Sequence, residues 1–181
     1  MAKHIMLDLE CLATKSNSVI VSIGAVAFNL ENVMDSFYRN VSIDSCLTNG
    51  LVVDQGSLKF WLLHTTQDAR QSLFSPTPVG LREALSAFTC FFQQAGGNWL
   101  WSHGSNYDIP ILASAYNAIY GNWVPWDFRK TRDTRTLYSL LPPGVTRLPR
   151  GDDKHNALAD ANYQALCVQK AYHLLGKEME V

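Results

Sequence analysis

Residues 4–8 form a short apolar run that ends on an acid, and they predict a buried strand. Residues 19–28, V-I-V-S-I-G-A-V-A-F, are β-branched and mostly apolar and predict a second strand. Polar and apolar positions alternate over residues 36–43, which predicts a third, with Glu31 and Asn32 at the turn before it. Three strands this close together predict an antiparallel meander. The pattern then turns helical. Ser57 and Thr66 are candidate caps for helices over residues 58–64 and 67–73, and Pro76 and Pro78 separate these from a longer helix over 79–94. Gly96 and Gly97 stop that helix, and residues 99–101 predict a fourth strand.

Asn106 or Asp108 opens the next helix, whose apolar positions Ile109, Leu112, Ala113, Tyr116 and Ile119 recur at helical spacing. A fifth strand is expected within 127–134 and a short helix over 136–141, ended by Pro142, Pro143 and Gly144. Residues 149–154 read as a polar loop. The last helix covers Ala157–Leu175, with Gly176 as its stop. Strands first, then strands alternating with helices, predict a mixed α/β sheet with helices packed on it.

The 181 residues suggest one domain with a real core, and 47% hydrophobic against 17% charged residues argues against disorder. No apolar run reaches the roughly 18 residues that span a bilayer. Met-Ala-Lys-His leads straight into a strand without a signal-peptide pattern. Cys11, Cys46, Cys90 and Cys167 are far apart and form no C-x-x-C pair, which fits reduced thiols in a cytoplasmic protein. The net charge of −1 argues against a nonspecific polycation. It is unevenly spread. Residues 129–154 carry seven Lys/Arg and three Asp/Glu, whereas residues 1–128 carry six basic and ten acidic side chains. A basic late segment beside acidic residues suits a bound polyanion over metal ions, although a solvated loop has the same composition.

Three acidic patches carry the candidate chemistry. Asp8 and Glu10 are two apart on a strand and share a face. A hard divalent cation such as Mg²⁺ or Mn²⁺ would relieve their repulsion; a strand end emerging into water is the bland alternative. Asp108 follows Gly104, Ser105, Asn106 and Tyr107 and suits either a third carboxylate or a first-turn helix charge. His155 lies just before the last helix and Asp160 in its first turn. A histidine near neutral pKa is a natural general base, and a lone one in a polar loop is also ordinary surface. An aspartyl-phosphate phosphatase also places an acid two residues after an Asp, but Cys11 and Leu12 follow here where that chemistry usually presents Thr or Val. There is no phosphate-binding Gly loop ending in Lys-Ser/Thr and no G-x-S-x-G elbow.

Taken together, Asp8-x-Glu10, Asp108 and His155-x-x-x-x-Asp160 resemble, in chain order, the signature of the DEDDh (DnaQ-like) 3′–5′ exonucleases. The resemblance extends to the branch of phage DexA-like exonucleases and exodeoxyribonuclease VIII-related 3′–5′ exoribonucleases. The stretches at 19–28 and 37–40, Ser57 with Phe60 and Trp61, Pro125 with Trp126, and R-D-T-R-T-L at 132–137 carry that extension. It departs at Leu62, Leu63 and His64, where a more polar helix is expected, and at the long polar S-H-G-S-N-Y-D segment.

The resemblance implies a single RNase H-like domain over residues 1–181, with a five-stranded mixed sheet and helices on both faces. It implies two Mg²⁺ or Mn²⁺ ions held by Asp8, Glu10, Asp108 and Asp160, with His155 as the base. The substrate would be a nucleic acid with a free 3′ end, single-stranded DNA favoured and RNA possible, released as nucleoside 5′-monophosphates. A homodimer is possible in such proteins. Leu12 is a candidate for the sugar pocket, and Asn106 for a substrate contact. Arg147, Arg150 and Lys154 are candidates for holding phosphates. Phe60 and Trp61 can stack on bases, with core packing the alternative, favoured for Phe60. Asp133 and Arg135 read as a structural pair or cap. The rival from another class is a nucleic-acid-binding module with a lost site, and the five intact catalytic positions count against it.

Overall fold

The computed structural model describes residues 3–73, 76–145, 147–150 and 155–179. Five strands form one sheet in the order β3-β2-β1-β4-β5, with β1 His4–Cys11, β2 Ile20–Phe28, β3 Val33–Asn40, β4 Trp99–Ser102 and β5 Thr131–Asp133. The β1–β2 and β2–β3 pairs are antiparallel, and β1–β4 and β4–β5 are parallel. The predicted meander and the later parallel strands are therefore both present. The helices are α1 Ile43–Thr48, α2 Gln55–His64, α3 Gln67–Leu73, α4 Leu81–Gln94, α5 Asp108–Tyr120, α6 Thr134–Ser139 and α7 Ala157–Leu175.

Strand alternation divides the core into two layers. Ile5, Leu7 and Leu9 of β1 pack with Leu85 and Phe88 of α4 and Leu112 and Tyr116 of α5. Met6 faces the other way, with Val26, Trp101 and the α7 residues Ala161, Ala165 and Val168. Asp8 and Glu10 continue the Met6 face, so the strand delivers both acids toward α7. The buried positions of α7 include Ala157, Ala161 and Ala165, small side chains that let the helix lie low on the sheet.

Local departures from expectation have clear causes. The third strand ends at Asn40 because Val41 leaves it to bridge Val79, and Ser42 then caps α1, a helix absent from the sequence reading. Helix α2 begins at Gln55 because Asp54, not Ser57, is its cap and accepts from the Ser57 N–H at 2.7 Å. Asp133 caps α6 in the same way through Thr136 N–H and also accepts from Ser105 N–H, which confirms its reading as a structural cap. Thr66 accepts from Ala69 N–H at the start of α3 as expected. Among the described residues, no helix is long and apolar enough to cross a membrane.

Candidate active site

The acids meet where β1 ends under the first turn of α7. Oxygens of Asp8, Glu10 and Asp160 all lie within 4.8 Å of one another. Two local features make this possible. Gly24 pairs with Asp8 across the β1–β2 ladder, and an added Cβ there would lie 2.1 Å from the carbonyl carbon of Ala157. The missing side chain admits the start of α7 onto the sheet. Asn156 then caps α7, accepting from Leu158 and Ala159 N–H at 3.1 Å each, which sets Asp160 in the first turn facing down.

Asp108 arrives from the neighbouring strand. Strands β1 and β4 pair from His4 and Trp99 as far as Met6 and Trp101, and beyond that point the Leu9 amide donates to the Asp108 carboxylate. Asp108 is buried at the start of α5 and stands outside the 4.8 Å trio, yet its charge is among the causes that raise the pKa of both Asp8 and Glu10.

The electrostatics are those of a site built for cations. Burial pushes Glu10 up to about 8, helped by the Asp160 and Asp108 charges and opposed by Arg150. Burial pushes Asp108 up to about 7 against the pull of the Leu9 amide, its own amide and Arg135. Asp8 keeps part of its surface open, but desolvation still leads the causes that raise it, followed by Asp108, Glu10 and Asp160. Carboxylates crowded and desolvated in this way favour protons or metal ions over bare charge. Hard oxygen donors at this spacing fit Mg²⁺ or Mn²⁺, so the residues present suit the ions that the resemblance implies.

His155 sits at the rim. It is the one non-glycine with positive φ among the described residues, at 65°. Its N–H donates to Asp160 Oδ2 at 3.1 Å, and its ring meets Phe60 and Trp61 edge-on with centroids 5.3 and 5.8 Å away. Two aromatic edges and the Asp160 carboxylate therefore fix an unfavourable backbone conformation beside the acids. A cavity of about 330 Å³ opens between Glu10, Phe60, Trp61, Thr14 and Tyr107. A larger one, of about 850 Å³, borders His155, but none of the four acids lines it, and its own acids are Asp35 and Asp68. The smaller cavity is the better place for a strand end.

The expected substrate contacts fall in different places. Phe60 is 39% exposed and lines the smaller cavity, the reverse of its favoured core role. Trp61 also borders that cavity but is 4% exposed, and its indole N–H donates to Cys11 O at 3.0 Å. On α2, Ser57 and Trp61 face inward one turn apart, and Phe60 is left at the edge. Leu12 is 6% exposed and belongs to the core, so packing displaces it from the sugar-pocket role. Asn106 is exposed in the turn before α5. Arg150 pairs with Asp160 through Oδ1, and Arg147 is exposed beside the Tyr138 ring, 5.9 Å from its centroid. Lys154 lies outside the described residues.

Three residues that sequence reasoning did not assign to the site now belong beside it. Gln164 donates from Nε2 to Asp8 Oδ1 at 2.7 Å. Tyr107 donates its hydroxyl to Ala13 O at 3.0 Å, tying the α5 entry to the chain after β1. Gly24 of β2 admits α7 onto the sheet. Four-residue spacing from Asp160 on an apolar helix face was the available signal for Gln164.

Comparison with known proteins agrees with this geometry. No curated relative matches the chain. The fold superposes on exonuclease I, solved with product bound, with a TM-score of 0.66 at 13% identity, over 97% of this chain. The match covers 45% of exonuclease I, so this chain spans less than half of that protein's length. That likeness establishes the fold as the mixed, RNase H-like sheet of that nuclease. Residues 3–172 match the 3′–5′ exoribonuclease Rv2179c-like domain. With nearly its whole length in that match, the chain belongs to the Rv2179c-like family of 3′–5′ exonucleases.

Proposed function

We propose that this chain removes nucleoside 5′-monophosphates one at a time from a single-stranded 3′ end, in a reaction that depends on two divalent ions. The observation that carries the reading is the approach of Asp8, Glu10 and Asp160 to within 4.8 Å, with buried Asp108 behind them. Asp8, Glu10, Asp108 and Asp160 would hold the ions, which when bound polarise water and stabilise the leaving oxygen.

The chain's own groups do the rest. A ring nitrogen of His155 accepts the proton as water attacks the terminal phosphorus, the new P–O bond forms, and the bond to the 3′ oxygen of the preceding nucleotide breaks, that oxygen taking a proton from solvent to leave a 3′-hydroxyl. The Phe60 and Trp61 edges that hold His155 keep its ring in place for that transfer. Phe60 offers its exposed face to the terminal base, and aromatic stacking discriminates little between bases. Arg150 and Arg147 lie on the α7 side, where they are suited to meet backbone phosphates.

The sugar preference separates two versions of this reading. The phage-like resemblance favours DNA, and the family's own description favours RNA. We take RNA as the better supported. Matched 5′-labelled DNA and RNA single strands, each with Mn²⁺, decide it: faster shortening of the RNA supports this choice, and faster shortening of the DNA reverses it.

A further inference from the structure

Gln164 is a buried amide on α7, one turn after Asp160 and flanked by the apolar Ala161, Ala165 and Val168. It is 8% exposed. A polar side chain at such a position is costly unless it is hydrogen-bonded. Its Nε2 donates to Asp8 Oδ1 at 2.7 Å across 156 residues of sequence, while its Oε1 is buried with no partner. Half of the amide is thus committed to one oxygen of a single carboxylate, and the other half remains an unused acceptor beside the acid cluster.

We propose that Gln164 is a positioning residue for metal capture. Its N–H fixes Asp8 Oδ1, which turns Oδ2 toward Glu10 and Asp160, and its free Oε1 accepts from water inside the acid pocket. Bonds of this kind to a ligand carboxylate set its orientation, and their loss typically costs about 10–100-fold in metal affinity or activity. Two of the other acids have their own donors. Asp108 is held by the Leu9 amide, and Asp160 by the His155 amide and Arg150. For Asp8, the donor is the Gln164 amide. The inference rests on the metal-dependent nuclease reading above and adds a residue to it.

The test is calorimetric titration of the folded full chain with Mn²⁺, without nucleic acid. Gln164→Met keeps the side-chain length and removes the donor. The expected result is a Mn²⁺ affinity lowered about tenfold or more, with the melting temperature in EDTA close to that of the parent. In turnover, the Mn²⁺ concentration for half-maximal rate should rise by a similar factor, with KM for the strand little changed. Should Gln164→Met fail to fold, Gln164→Asn, which draws the same amide back by one methylene, is expected to give the same loss. Parent-like Mn²⁺ affinity in a folded variant overturns the role of Gln164 alone. A parent chain that takes up no Mn²⁺ overturns the nuclease reading and this inference with it.

Discussion

Gly24 and Ala157 meet backbone to backbone. A Cβ on Gly24 would lie 2.1 Å from the Ala157 carbonyl carbon and 2.3 Å from its oxygen. Both atoms are main chain, so no side chain can turn aside to make room. Gly24→Ala should therefore lift the start of α7 and carry His155 and Asp160 away from Asp8 and Glu10. Overpacking of this kind costs about 1–3 kcal/mol. The expected outcome is a modest drop in thermal stability together with a loss of most activity at temperatures where the variant is still folded. A folded Gly24→Ala chain of parental activity would show that the acids do not depend on this approach.

The acid cluster sets the direction of the pH response. Glu10 is raised from 4.5 to about 8 and Asp108 from 3.8 to about 7. Both folded values exceed the unfolded ones, so the folded chain binds protons that the unfolded chain has released. The stability these two groups contribute is complete below about pH 4 and is lost as the pH rises through about 7 to 8. Metal binding displaces those protons. In EDTA the melting temperature should fall across that window, and added Mg²⁺ should raise it more at about pH 8.5 than at about pH 6. Equal Mg²⁺ stabilisation at both values would contradict the assignment.

Phe60 and Trp61 are adjacent in sequence and differ in what they support. Trp61 is buried and bonded to Cys11 O, so Trp61→Ala should destabilise the fold by about 3–5 kcal/mol. Phe60 is partly exposed over the cavity beside Glu10, so Phe60→Ala should leave folding largely intact. Its KM for a single strand should rise about fivefold or more, the loss expected for one stacked base. Denaturant melts and steady-state kinetics on the two variants separate these effects.

His155→Ala should slow turnover by about 10²–10⁴-fold without weakening metal binding, as expected for loss of a general base. Its rate should recover partly as the pH is raised, because hydroxide replaces the missing proton acceptor. A parental rate at neutral pH would place the base elsewhere.

Much of this molecule was legible in order and chemistry, and less so in contact. The apolar runs of β1 and β2 located two central strands because burial on both faces leaves a continuous signal. The i, i+2 spacing of Asp8 and Glu10 and the capped start of α7 located three of the four acids. What the chain could not display was pairwise approach. Gly24 reads as an ordinary strand glycine until Ala157 is brought against it, and Gln164 as a stray polar residue until Asp8 lies beneath it. The edge of the third strand was misjudged because Val41, Ser42 and Ile43 continue the alternation that the sheet abandons for the bridge to Val79. Phe60 left its favoured core place because α2 exposes Leu62 and Leu63 as well, and so lacks the one-sided apolar face that would have fixed its orientation in advance.

The most direct test of the central claim follows a 5′-labelled single strand incubated with the chain and Mn²⁺, beside the same reaction in EDTA and one with Asp8→Asn. The account predicts stepwise shortening from the 3′ end with release of 5′-monophosphates, abolished by chelation and by the substitution while the variant remains folded. Shortening that persists in EDTA or in folded Asp8→Asn, or a strand left intact by the parent chain with Mn²⁺, would contradict it.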